Sequence, residues 1–249
     1  MPSSAAPSET APEVSLVIPV RNEADNVLPL LEEIVAAARG WPWTWELIFV
    51  DDGSADATWE RLGEARRSEP RVRALRLDRP HGQSAGVIAG LRAARAPICV
   101  TMDGDGQNDP ADIARLVEAM AEADLVIGWR RERADTAWRR FQSRVANAFR
   151  DFFTGDGVHD IGCALKAVDR ELALRLPAFD GLHRFLPTLF RYNGWRVREV
   201  PVSDRRRLRG HTKYGMWNRA FRGLRDIIGV RWIGSRMVRY EIREENSDG

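Results

Sequence analysis

The chain has 249 residues, 44% hydrophobic and 30% charged, which reads as globular rather than disordered or fibrous. A chain of this length buries a core without disulfide or metal staples. The net charge of +2 hides an asymmetry: Arg196 to Arg239 hold 13 Arg plus Lys against three acids (Glu199, Asp204, Asp226), so a strongly basic C-terminal part follows an acidic body. The two cysteines, Cys99 and Cys163, show neither CxxC nor His spacing, which disfavours zinc and suits reduced, buried thiols. No run of 18 apolar residues occurs, so no bilayer-spanning helix is expected. Residues 1–12 are rich in Ser, Ala and Pro, without a basic or apolar region, and read as a disordered leader.

Residues 14–20 form a first apolar, β-branched run, followed by Arg21-Asn22-Glu23. Asp25 or Asn26 can cap a helix to about residue 39. A second strand over 47–50 ends in Asp51-Asp52-Gly53-Ser54, and Ser54 or Asp56 can cap a helix through residue 67. Residues 72–77 read as a third strand, 82–95 as a small-residue helix and 98–102 as a fourth strand ending in Asp103-Gly104-Asp105. Pro110 and Asp112 open another helix, and 125–128 make a fifth strand. This β-α alternation predicts an α/β fold with a mostly parallel, doubly wound sheet. Continuous apolar strands agree with burial on both faces.

Beyond Trp129 the texture changes. Arg130 to Asp151 carry seven Arg against three acids, and Trp138, Phe141, Val145 and Phe149 suit a helix. Residues 195–202 read as a strand and 204–215 as a polar loop. Residues 216–242 form a basic amphipathic segment, with Trp217, Phe221, Leu224, Ile228 and Trp232 on one helical stripe. The division expected is a leader over 1–12, a catalytic-type domain over 13–215 and a basic extension over 216–249.

Ligands of open α/β sheets bind at the carboxyl ends of the strands. Three strands of this chain end there in polar, largely acidic clusters. Carboxylates converging on one edge repel each other unless a cation or polar ligand sits among them. GxxxxGK[ST] and GxGxxG are both absent, which disfavours a P-loop NTPase and a dinucleotide enzyme. The Asp103-Gly104-Asp105 turn suits Mg²⁺ or Mn²⁺, which take carboxylate and phosphate oxygens together. Gln107 adds a neutral oxygen ligand.

Val17-Ile18-Pro19-Val20-Arg21-Asn22-Glu23, then Val50-Asp51-Asp52-Gly53-Ser54, then Met102-Asp103-Gly104-Asp105-Gly106-Gln107 resemble the opening motifs of family 2 glycosyltransferases. The resemblance implies the inverting GT-A fold and a nucleotide-sugar donor. Gly128-Trp129-Arg130, Arg139 to Asn147, Asp160 to Lys166, Glu199-Val200-Pro201-Val202 and Arg207 to Lys213 resemble the polyprenyl-phosphate group, the dolichol-phosphate mannose synthase type. Gly104 and Gly106 depart from that group's D-A-D-L-Q, Cys163 departs from its Ser-Gly, and the C-terminal transmembrane helices of many members are missing.

The resemblance implies a metal at Asp103, Asp105 and Gln107, with Asp105 also counted among the catalytic residues. Pro19, Asn22, Glu23, Asp51, Asp52, Asp103 and Lys213 would bind the nucleotide sugar, GDP- or UDP-linked. Arg130, Arg144 and Arg207 would clamp phosphates, since guanidinium forks suit bidentate contact. The acceptor would be a polyprenyl phosphate, already anionic, so no strong base is needed. None of the four histidines is expected to be catalytic. The basic tail is expected to lie on the inner, cytoplasmic membrane face, and a homodimer is possible. The alternatives are a family 2 enzyme with a polysaccharide or lipid-linked oligosaccharide acceptor, and a non-catalytic nucleotide-sugar-binding scaffold. Nucleic acid is not expected as a partner, because no known module pattern occurs.

Overall fold

The computed structural model describes residues 11–130, 155, 157–203, 205 and 216–238, with side chains in the last helix described from residue 225 onward. Residues 1–10 of the expected leader, the expected helix after Arg130, and residues 204 and 206–215 of the expected polar loop lie outside the described residues.

Seven strands form one sheet in the order β3-β2-β1-β4-β6-β5-β7. They are β1 (Val14–Val20), β2 (Trp45–Asp51), β3 (Val72–Arg76), β4 (Ile98–Thr101), β5 (Leu125–Arg130), β6 (Lys166–Asp169) and β7 (Val197–Val202). The helices are α1 (Ala24–Ala38), α2 (Thr58–Ser68), α3 (Gln83–Ala93), α4 (Ile113–Ala119), α5 (Arg170–Leu174), α6 (Leu182–Tyr192) and α7 (Met216–Arg236). A 3₁₀ turn over Pro110–Asp112 leads into α4.

The sheet is mostly parallel, as the β-α alternation predicts. β6 alone runs against its neighbours, antiparallel to both β4 and β5. The sequence pattern did not mark β6 as a strand. β6 is only four residues long and is bounded by Lys166 and Asp169, so it shows no apolar run. Its inward Ala167 and Val168 are nonetheless completely buried.

β1 and β2 are buried almost throughout, and Leu47, Ile48 and Phe49 are wholly enclosed. Each such side chain contributes roughly 2 kcal/mol through burial. α3 lies against β1 at unusually close range. A Cβ on Gly90 would sit 2.2 Å from Val17 Cγ1, and one on Gly86 would sit 2.9 Å from Pro19 Cβ. Glycines one turn apart on α3 therefore let the helix settle onto β1, and this brings its first residue, Gln83, to the strand ends.

α1 begins at Ala24, a little before the expected caps. Glu23 occupies the cap position, and Asn26 Nδ2 donates to Glu23 Oε2 at 2.5 Å. α2 begins two residues beyond Asp56, whose carboxylate accepts from Thr58 N and Thr58 Oγ1. Burial pushes the Asp56 carboxyl up, but these bonds and one from Ala24 N outweigh it and hold the pKa below the usual range.

α7 docks on α6. Arg184 Nη2 and Asp226 Oδ2 are 2.9 Å apart, and Ile227 and Val230 are buried. The predicted stripe is rotated in the fold: Ile228 is 60% and Trp232 64% exposed. The buried side of α7 is the side that meets α6, and helical periodicity alone cannot choose between adjacent apolar residues.

Candidate active site

The turns after β1 and β2 are clasped together. Asn22 adopts a left-handed φ of 53°, a conformation that Asn tolerates better than most residues. Its N–H donates to Ser54 Oγ at 2.9 Å, and its Oδ1 accepts from Ala55 N at 2.8 Å. Glu23 N donates to Thr58 Oγ1 at 2.9 Å.

Asp51 is wholly buried, and its Oδ1 accepts from Ser54 N at 2.8 Å. Arg76 Nε lies 3.2 Å from Asp51 Oδ2, close enough for an ion pair, yet Oδ2 has no hydrogen-bond partner of proper geometry among the described residues. A buried carboxylate oxygen with spare lone pairs suits recognition of an N–H group. Asp52 is spent on the protein itself: it accepts from His81 N at 2.6 Å and Gly82 N at 2.9 Å, fixing the loop that starts α3.

The turn after β4 carries Asp103, Asp105 and Gln107. Gln83 Nε2 donates to Asp103 Oδ1 at 2.6 Å, while Asp103 N donates to Asn108 Oδ1 at 3.2 Å. Asp105 Oδ1 accepts from Gln107 N at 3.1 Å, which tightens the turn. Gly104 is packed on β1: a Cβ there would lie 2.6 Å from Val20 Cγ1, so the alanine usual in such motifs would require a shift. Two carboxylates and an amide in one turn form a hard-oxygen set that fits a divalent cation. Among the described residues, no group of three His, Cys, Asp or Glu side chains could hold a metal. An ion here would therefore need oxygens from a ligand.

Arg130, expected to clamp a phosphate, forks onto Asp160, with Nε–Oδ2 at 2.8 Å and Nη2–Oδ1 at 3.1 Å. The pair pins the segment before β6 to the end of β5. Next to it, His159 stacks on Trp129 with centroids 4.7 Å apart and pairs through Nδ1 with Glu199 at 2.8 Å. Arg144, Arg207 and Lys213 lie outside the described residues. Arg205, two residues before Arg207 in the sequence, bridges Glu33 at 2.6 Å and Asp109 at 2.8 Å, and its N–H donates to Gln107 O at 3.2 Å.

Behind Asp103 a narrow slot opens between α3, α6 and the ends of β4 and β6. Pro19 and Thr101 line it together with Lys166, His183 and Leu186. Lys166 is 2% exposed; burial lowers its pKa, with Asp103 and Asp160 acting the other way. His183 is driven from 6.5 down to about 3, first by burial and then by Lys166 and Arg184, so it is neutral.

Gln83, Asp160, Lys166, His183 and Arg205 are absent from the sequence-derived site. Gln83 could have been found from its place after Gly82 at the carboxyl edge. Lys166 is one of only two lysines in the chain, a weak signal. His183 offered no local pattern.

Residues 15–176 match the family model described as glycosyl transferase family 2. A dodecaprenyl-phosphate galacturonate synthase of Rhizobium johnstonii is 38% identical over 240 residues, spanning 93% of this chain and 69% of that protein. An undecaprenyl-phosphate 4-deoxy-4-formamido-L-arabinose transferase of Pseudomonas paraeruginosa is 38% identical over 203 residues, spanning 81% of this chain and 60% of that one. The chain thus spans only about three fifths to two thirds of these relatives' lengths. Glucosyl-3-phosphoglycerate synthase from Mycobacterium tuberculosis, solved with Mn²⁺, UDP-glucose and phosphoglyceric acid, superimposes with a TM-score of 0.69 at 18% identity, covering 90% of this chain and 79% of that one. That likeness identifies the fold as GT-A.

Proposed function

The chain belongs to glycosyl transferase family 2, and from that premise we propose that it transfers a sugar, with inversion, from a nucleotide diphosphate sugar to a polyprenyl phosphate. The observation that carries the proposal is the Asp103–Asp105–Gln107 turn at the carboxyl ends of the strands, in a chain 38% identical to transferases named for polyprenyl-phosphate products. The acceptor oxygen would attack the anomeric carbon as the bond to the diphosphate breaks, and the nucleoside diphosphate leaves. A phosphate nucleophile is already ionised and needs no base. A neutral His183 with a strongly depressed pKa accords with that economy.

Mg²⁺ or Mn²⁺ would be held by Asp103, Asp105 and Gln107, and when bound it stabilises charge on the departing diphosphate. Gln83 orients Asp103, and Asp52 holds the loop from which Gln83 projects. Asp51 is proposed to accept a base N–H of either UDP or GDP. Arg144, Arg207 and Lys213 are proposed to meet acceptor phosphate. Arg130 contributes by anchoring the segment that leads to β6, as its pairing with Asp160 supports.

The exposed side of α7 supports contact with a membrane surface. Ile228 and Trp232 stand out beside exposed Arg225, Arg231 and Arg236, a pattern suited to an anionic headgroup layer. Among the described residues, no helix is long and apolar enough to cross a membrane. We place the contact at the inner face.

The test is a panel of radiolabelled nucleotide sugars with a polyprenyl phosphate and Mg²⁺ or Mn²⁺, scored for organic-extractable label. Label that needs the ion and drops by at least 100-fold in Asp105→Ala is the expected result. Ion-dependent release of free nucleotide without lipid label would reject the acceptor and keep the transferase.

A further inference from the structure

Asp103, Asp105, Asp109 and Asp112 crowd into ten residues of sequence. The chain leaving β7 takes up the outer two. Ser203 N donates to Asp112 Oδ2 at 2.7 Å, and the buried Asp112 also pairs with Arg115. Arg205 holds Asp109 Oδ2 through Nη2 at 2.8 Å, and its Nη1 reaches Glu33 of α1 at 2.6 Å. Asp109 Oδ1 accepts from Ala111 N at 3.0 Å, so both of its oxygens are engaged.

The metal-type turn carries little backbone constraint of its own. Glycines flank Asp105 on both sides, where the D-A-D-L-Q pattern has Ala and Leu. Gly104 is fixed by its packing on Val20. Gly106 has a left-handed φ of 75°, and among the described residues nothing beyond its chain neighbours lies within 4 Å of where a Cβ would sit. The conformational freedom of the turn is therefore concentrated at Gly106. Arg205 grips the residues just beyond it. Its backbone N–H donates to Gln107 O at 3.2 Å, and its guanidinium holds Asp109. Gln107 N donates to Asp105 Oδ1 at 3.1 Å. The backbone of Gln107 is thus tied to Asp105 through its N–H and to Arg205 through its carbonyl.

We propose that Arg205 is a positioning residue for the divalent ion, holding the Asp105–Gln107 end of the turn in its ion-binding shape. The inference rests on the transferase reading above and adds a residue that lies outside its motifs. A turn already set in its bound form binds more tightly, because less freedom is lost on binding. Charge alone argues the other way. A guanidinium repels a divalent cation, so its removal by itself would tighten ion binding. Positioning and charge therefore predict opposite signs for the same substitution.

Calorimetric titration of Mn²⁺ in saturating UDP, repeated in saturating GDP, tests this on wild type, Arg205→Ala, Arg205→Lys and Arg115→Ala. Each is checked for folding by thermal unfolding. Arg115→Ala removes a cation from the same acidic run and leaves the hold on Gln107 intact. Arg205→Ala should weaken Mn²⁺ binding by roughly tenfold, with affinity for the nucleotide in the absence of the ion unchanged. Arg205→Lys keeps the charge without the fork and should recover part of the loss. Arg115→Ala should bind Mn²⁺ as well as wild type or better. The Arg205 pairs are part-exposed, so its variants should melt within about 3 °C of wild type. Mn²⁺ binding that is unchanged or tighter in Arg205→Ala, or weakened equally in Arg115→Ala, would overturn the proposal. A wild type that binds Mn²⁺ with neither UDP nor GDP would overturn the transferase reading, and the proposal with it.

Discussion

Acid should expose the burial of His183 directly. Burial, then the charges of Lys166 and Arg184, lower its pKa from 6.5 to about 3; Asp103 is the carboxylate among the residues that line the same slot. The folded protein therefore keeps the ring neutral at pH values where the unfolded chain has protonated it. Between those two pKa values the unfolded state binds one more proton, so stability falls as pH falls, at ~1.4 kcal/mol per pH unit. From pH 7.5 to 5 the loss from this residue integrates to ~2 kcal/mol. His183→Gln lacks that term. Urea unfolding of both proteins across this range should show their stability difference moving by ~2 kcal/mol in favour of the variant as pH drops. Imidazole nitrogen NMR of the folded wild type should show no titration of His183 above pH 5. A titration centred near 6.5, or a pH-independent difference in stability, would refute the reasoning.

Gly90→Ala forces a methyl to within 2.2 Å of Val17 Cγ1, and should cost about 1–3 kcal/mol, read as a lower urea midpoint at unchanged slope. Asp160→Asn removes the carboxylate from a pair whose side chains are 4% and 21% exposed, and about 2–3 kcal/mol of stability should go with it. The double change Ile228→Ser and Trp232→Ser removes two exposed apolar side chains, so it should weaken cosedimentation with anionic vesicles by about tenfold while the thermal midpoint stays put. Unchanged vesicle binding would remove α7 from the membrane contact.

Much of the site was legible locally. An apolar run that stops at Asp51-Asp52 or at Asp103-Gly104-Asp105 marks a strand end. Parallel connection then places such ends on one edge, because every β-α-β return starts from the same side of the sheet. The caps were less legible, since Asp25, Ser54 and Asp56 all compete for similar backbone donors. The actual helix starts depend on Glu23 and Thr58 meeting across two turns, residues 35 positions apart in sequence.

What the sequence by itself determined was the alternation of elements, the acidic carboxyl edge and the metal-type turn, for each is a short-range pattern of side-chain type and spacing. Tertiary structure decided what those residues face. It inserted β6 between β4 and β5, and so carried Lys166 to the back of Asp103. It also gave the Arg130 fork to Asp160, 30 residues away, and brought Ser84 to His183 across 99. It turned Ile227 and Val230, rather than Ile228 and Trp232, toward α6. Contacts over such separations leave no local period to read. They form because a buried donor or charge must find its partner wherever the packed chain brings one.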